Sequence, residues 1–367
     1  MARKLKVAND KSRKQSADDK GRILSAGDKE ALELYDLAYR LKELAPWRWM
    51  EETDLIGIES PETGEIGFIS VMGKNGEYEA VALYLGAEGL YGFIDLHEDD
   101  ASADGVLQVP HVQAAFSERK YLEKQDRDAI KQLGLKISGT GAWPIFRSYR
   151  PGYFPWFVTI AEARFLIHAL SQILDVAKRV RDEAEPFRPT GRVEADGYLM
   201  RVSQKTEAGL VWEDQVWRVP RPKPEAIKAT VDTDRLDQLK LIQRSDFEVE
   251  ADLFLAPGRI GKKDERPLVL YIFMVADRKS GFILGADALT AQVSLSAMHA
   301  QVPNSLANIL LQGRTVPKTL LVRSELLRGL LKLLTQSLNI ELRHTNHLPS
   351  IDEATEALHE SMRGGKN

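Results

Sequence analysis

The groups best suited to chemistry in this sequence crowd into one stretch, Trp143–Phe157 (WPIFRSYRPGYFPWF). Seven of the chain's 28 aromatic residues fall within these fifteen positions, a concentration that calls for a use. Pro144, Pro151 and Pro155 stiffen the stretch, and Arg147 and Arg150 add planar guanidinium forks. Rigid aromatic surfaces interleaved with arginine are the composition of binding hot spots. The same pairing stacks bases or clamps a carboxylate or a phosphate. Trp143, Arg147, Tyr149, Arg150, Tyr153 and Trp156 are therefore the candidate binding residues. Aromatic side chains also fill irregular loops well, so a plug under the following helix or at a domain junction is the competing use. Trp47-Arg48-Trp49 repeats the composition in three residues.

Other constellations are weaker. His97, Glu98, Asp99, Asp100 and Asp104 form an acidic loop, but calcium loops place ligands at alternate positions around a glycine, and this one does not. His344, His347 and His359 could supply imidazoles to zinc, yet no carboxylate is placed to orient them, so they read as surface histidines. Lys136–Trp143 (KISGTGAW) runs into Pro144 rather than into a helix whose amides could hold phosphate. The phosphate-binding loop, the nucleophile elbow and the H-E-x-x-H motif find no match. With no cysteine there is no thiolate nucleophile, disulfide or cysteine metal site. No catalytic residue, metal or cofactor is assigned. The leading expectation is a non-enzymatic module that binds a protein or a small ligand through residues 143–157. The alternative is an enzyme on a small anionic or nucleotide-like ligand, with Arg147 and Arg150 as clamp and Asp95, His97 or Glu98 as acid–base groups.

The elements that must position these residues form an α+β fold of two domains. Asp28 starts a helix along Leu34, Leu37, Leu41 and Leu44, and Pro46 stops it. Turns at Pro61–Gly64 and Asn75-Gly76 make a three-stranded meander ending in Glu79–Leu85. Ser117–Leu133 reads as helical, Trp143–Phe157 as a loop, and Thr159–Arg181 as a strongly amphipathic helix. The charged, proline-bearing segment 182–191 marks the domain boundary. Beyond it, Tyr198–Val202 and Leu210–Val219 read as strands with a turn at Glu213-Asp214. Asp246–Leu255 alternates as a half-buried strand with a solvated acidic face of Glu248, Glu250 and Asp252, and Leu268–Ala276 as a central strand. Thr319–Arg323, a helix capped by Ser324, Ile340–Arg343 and a final helix with a Ser350/Glu353 capping box complete a β-α-β-α unit. The expected division is a basic tail over 1–24, domains over 25–181 and 192–362 (the β-α-β-α unit being 317–362), and a short tail over 363–367.

Charge and composition bound the partners. The chain carries −4 overall, but its first 22 residues hold eight basic against three acidic side chains, leaving an acidic body that repels nucleic-acid backbones. Only the tail could touch RNA. The longest apolar run, Leu268–Ala276, is far short of the roughly 20 residues a membrane helix needs, and a soluble, cytoplasmic protein is expected. The stretch WPIFRSYRPGYFPWF with its following helix, and the C-terminal VPKTLLVRSELLRGLLKLLTQSLNIEL…LPSIDEATEAL, resemble segments of uncharacterised bacterial cytosolic proteins grouped as domains of unknown function. The resemblance spans residues 30–180 and 240–362. It implies a bacterial cytosolic origin and a two-part chain, and it carries no catalytic residues with it.

Overall fold

The computed structural model describes residues 21–76, 78–98, 103–182, 197–223, 226–262 and 264–364. The chain divides into two units, 1–151 with 155–222, and 152–154 with 223–367. The fold is α+β in both.

In the first unit the leucine stripe of α1 (Lys29–Leu44) is buried, and Ala45 ends the helix in the left-handed region (φ 51°) before Pro46. Asp28 precedes the helix as expected, but its carboxylate turns back to accept the Ser25 N–H (2.8 Å) rather than helical amides. The meander is present as β1 (Ile56–Glu59), β2 (Ile66–Met72) and β3 (Ala80–Leu85). α2 (Gly86–Glu98) follows, a helix the sequence hides behind three glycines. Those glycines let it pack closely: a Cβ on Gly89 would lie 2.8 Å from the Tyr84 carbonyl carbon and 2.9 Å from the Pro110 oxygen. His97 is thus in a helical turn rather than a loop, while residues 99–102 lie outside the described residues.

The helix expected over 117–133 is split. Its start belongs to β4 (His111–Ser117), a 3-10 turn follows at Arg119–Tyr121, and the α-helical part is α3 (Lys124–Gln132). The supposed loop begins as an edge strand, β5 (Trp143–Tyr149), antiparallel to β4, and α4 (Ile160–Asp182) follows. Residues 183–196, which include most of the expected linker, lie outside the described residues. The chain then returns to the first sheet. β6 (Gly197–Thr206) pairs parallel to β1, and β7 (Gly209–Arg218) pairs antiparallel to β6, giving the order β5-β4-β3-β2-β1-β6-β7. These strands were expected to open the second domain and instead complete the first. Their turn is at Glu207-Ala208, with Glu213 and Asp214 in mid-strand. One face of the sheet packs on α1 and α4; the other buries Phe68, Tyr84, Tyr198 and Met200 with Leu90 and Phe93 of α2. Residues 21–24, assigned to the tail, are also part of the fold, with Ile23 bridged to Thr159.

The second unit contains α5 (Thr233–Lys240), β8 (Arg244–Ile260), β9 (Leu268–Asp277), β10 (Ile283–Thr290), α6 (Leu295–His299), α7 (Val302–Gln312), β11 (Val316–Val322), α8 (Glu325–Ser337), β12 (Glu341–His344) and α9 (Pro349–Gly364). The sheet order is β10-β9-β8-β11-β12, with β11 parallel to both neighbours. The β-α-β-α unit is therefore present, and Ser324 Oγ accepts the Leu327 N–H as its cap. The final helix runs through Gly364, two residues into the expected tail.

Of Glu248, Glu250 and Asp252 on the acidic side of β8, only Glu248 is solvated. Glu250 is 0% exposed and Asp252 is buried, because α9 lies over this face. Glu250 accepts the N–H groups of Ser350 (2.9 Å) and Ile351 (3.2 Å), so a strand carboxylate caps the helix. The Ser350 hydroxyl donates to the carbonyls of Asp277 and Arg278 instead of forming the expected capping box.

Candidate functional site

The alternation of β5 sends Trp143, Ile145, Arg147 and Tyr149 to one face and Phe146 and Ser148 to the other. Phe146 meets Tyr35 of α1 edge-on, with ring centroids 5.1 Å apart. Arg147 is held within the unit: its guanidinium donates to both oxygens of Asp126 on α3 (2.9 and 2.6 Å) and lies 4.7 Å from the Phe157 ring. The two side chains are only 11% and 6% exposed. Burial works against the Arg147 charge, but Asp126 more than offsets it and the pKa rises.

Arg150 donates to Glu162 (2.9 Å) on the first turn of α4. Burial alone would raise the Glu162 pKa, but the Thr159 N–H, Arg150 and Ser148 hold it below the ordinary carboxylate value. Thr159 and Glu162 also form a reciprocal cap, visible in the sequence as T-x-x-E and not recognised there. The remaining candidates scatter. Trp143 lies under Arg119 (5.6 Å), Tyr149 stacks on His111 (3.9 Å, 13°), Trp156 pairs its backbone with Ser148, and Tyr153 bridges to Leu268 within the second unit. None of the five candidates in the first unit lines the cleft described next, and each arginine already engages a separate carboxylate.

What residues 143–157 help to build is a cleft of about 350 Å³. Its apolar lining includes Ile23, Leu24, Ala26, Ala31, Phe146, Phe157 and Val158, and α3 contributes Gln125, Asp126, Asp128, Ala129 and Gln132. Tyr35 lines it as well, is 4% exposed, and its hydroxyl has no hydrogen-bond partner among the described residues. One turn along α1, the buried Tyr39 hydroxyl is also without a partner. Burial and the nearby Asp126 charge raise the Tyr35 pKa, so the group stays an O–H donor. Sequence reasoning missed Tyr35, which sits within an ordinary amphipathic stripe and has no motif of its own.

On the opposite sheet face, His111 lies between Tyr149 and Tyr84. Its Nδ1 is 2.8 Å from the Val109 carbonyl and so carries the hydrogen. Burial pushes its pKa down to about 4, which keeps the ring neutral at pH 7. His97 bonds Glu52 (3.1 Å) and Asp95 pairs with Arg221 (2.8 Å), so these two of the acid–base groups considered for an enzyme are engaged with separate partners.

In the second unit, β8 and β11 form the switch point of the sheet, and the carboxyl ends of strands at such points are where open α/β sheets hold ligands. Here Arg323 occupies that place, bridging Asp252 (2.8 Å) and Asp352. His344 bonds the Arg323 carbonyl (2.8 Å). Among the described residues no three carboxylate or imidazole side chains gather to hold a metal ion.

Residues 32–195 match the family model of a domain of unknown function, DUF7309, and residues 235–359 match that of a second, DUF6930. No curated protein matches the chain. No helix among the described residues is long and apolar enough to cross a membrane. The two matches follow one another along the chain, and both are to domains of unknown function.

Proposed function

We propose that the protein is a non-enzymatic ligand-binding module whose site is the cleft between α1, α3 and β5, and that it works in the bacterial cytoplasm. The observation that carries this reading is Tyr35, which lines a largely apolar cleft with a hydroxyl that makes no hydrogen bond among the described residues. A ligand that accepts from this hydroxyl inside the cleft gains a hydrogen bond worth about 0.5–1.5 kcal/mol net. The volume also falls in the range of small-molecule pockets, about 300–1,000 Å³. The anion-clamp enzyme is the weaker reading, because closing Arg147 and Arg150 on a ligand would first have to break their pairs with Asp126 and Glu162.

The half-buried Ala129 lines the cleft from α3, so Ala129→Phe fills it from the rim. Full-length protein screened against small molecules by thermal shift should give ligands that raise the melting temperature by a few degrees. Those shifts should vanish in Ala129→Phe, whose own transition stays within about 2 °C of wild type, the equivalent of less than about 1 kcal/mol. Ligands that shift both proteins alike would place binding elsewhere and overturn the proposal.

A further inference from the structure

Resting on that reading, we infer that the cleft takes an uncharged molecule with an apolar body and a hydrogen-bond acceptor directed at Tyr35, and that it discriminates against anions. The body is set by Leu24, Phe146, Phe157 and Val158, which offer contact area and no hydrogen bonds from their side chains. The charge preference follows from what the lining contains and what it lacks. Asp126 and Asp128 both line the cleft, and no lysine or arginine does. Arg147 and Lys124 are already engaged with Asp126 and Asp128 (2.6 and 3.0 Å), so a bound anion would lose hydration against carboxylate oxygens with no free cation in the lining to replace it.

A cation is served little better. The Asp126 oxygens already accept three hydrogen bonds, two from Arg147 and one from the Glu123 N–H (2.9 Å). The Arg147 guanidinium also lies over the Phe157 ring, so the aromatic face an ammonium would seek is taken. The remaining unmet demand is the Tyr35 hydroxyl. Burial first and the neighbouring Asp126 charge second disfavour its ionisation, so the phenol donates. An amide or ketone oxygen answers that demand without adding charge.

The test is a matched set of probes, benzamide, benzoate and benzylamine, which share a ring and differ in the charge of the head. Each is titrated into full-length protein by ligand-observed NMR, in wild type, Tyr35→Phe and Ala129→Phe. Tyr35→Phe removes an oxygen with no protein partner, so folding is expected to be unaffected. Benzamide should bind, lose at least fivefold in affinity in Tyr35→Phe and lose binding in Ala129→Phe, with benzoate and benzylamine at least tenfold weaker in wild type. Benzoate or benzylamine binding as tightly as benzamide, and lost in Ala129→Phe, would overturn the ligand class while leaving the cleft as the site. Unchanged benzamide affinity in Tyr35→Phe would remove Tyr35 from recognition and overturn the inference. Failure of all three probes to bind, or equal binding to Ala129→Phe, would overturn both the inference and the site.

Discussion

His111 illustrates how far a residue's setting departs from its type. As a sequence letter it is a titratable group in a short run, HVQAAFS, that no turn or repeat singles out as a strand. In the fold it is 2% exposed and stacked on Tyr149, and it behaves as an aromatic core residue with one polar handle. Its folded pKa of about 4 lies below the ordinary 6.5, so the unfolded chain takes up a proton first as the pH falls. The stability it supports is intact above pH 6.5 and is lost progressively as the pH drops from 6.5 towards 4. Between pH 7 and 4.5 that amounts to about 2 kcal/mol, at 1.36 kcal/mol per pKa unit. Urea denaturation of wild type and His111→Phe at both pH values should show wild type losing about 2 kcal/mol more than the variant. Equal losses would mean that His111 is not kept neutral by burial. Tyr35 makes the complementary point. Its importance comes from a partner it lacks, and no pattern of residue types encodes a missing bond.

At the scale of elements, strong periodicity was readable and irregular composition was not. The leucines of α1, the apolar stripe of α4 and the hairpin signals of β1–β3 each repeat several times, so local reading placed them well. β5 carries Pro144 among Trp143, Phe146 and Tyr149, which shows no period of two, and was taken for a loop, although its burial alternates between faces as in any strand. Burial on both faces of β8 was missed for another reason. The partner that Glu250 caps is α9, 100 residues away, and local alternation records only that one side is charged. The same distance effect decides how residues 143–157 are used. Arg147 ties edge strand β5 to α3 through Asp126, and both side chains are nearly buried. Breaking a buried pair by removing one partner typically costs about 3–5 kcal/mol, because the other charge stays buried alone. Arg147→Ala should therefore lose about that much stability in urea unfolding. Arg150→Ala, whose side chain is half-exposed, should lose about 0–1 kcal/mol. Equal small losses would return Arg147 to the role of a free binding group.

For the whole molecule, the unit boundary is the feature that local reading placed least well, and the reason is topological. A charged, proline-bearing segment after a long helix marks a surface crossing, and 182–191 is such a segment whether the chain leaves a domain or returns to it. What decides is the parallel pairing of Gly57 with Met200, more than 140 residues apart. A Cβ on Gly57 would collide with the Met200 side chain, so the glycine admits β6 at close range. The returning hairpin is knitted into the first unit. Tyr198 and Met200 are buried beside Phe68 and Leu90, and the buried Arg201 donates to Gln172 of α4 (2.8 Å) and pairs with Asp214 of β7. The DUF7309 match ends at residue 195, just before this hairpin, so a fragment cut at the family boundary would lack it. Loss of two large buried side chains alone costs about 4 kcal/mol, at roughly 2 kcal/mol each. A fragment of residues 21–222 should accordingly unfold cooperatively in urea. Residues 21–195 should either unfold at a much lower midpoint or bind a hydrophobic dye as an incompletely packed state. Matching midpoints for the two fragments would show that β6 and β7 add nothing to the first unit's stability and would restore 182–191 as its physical end.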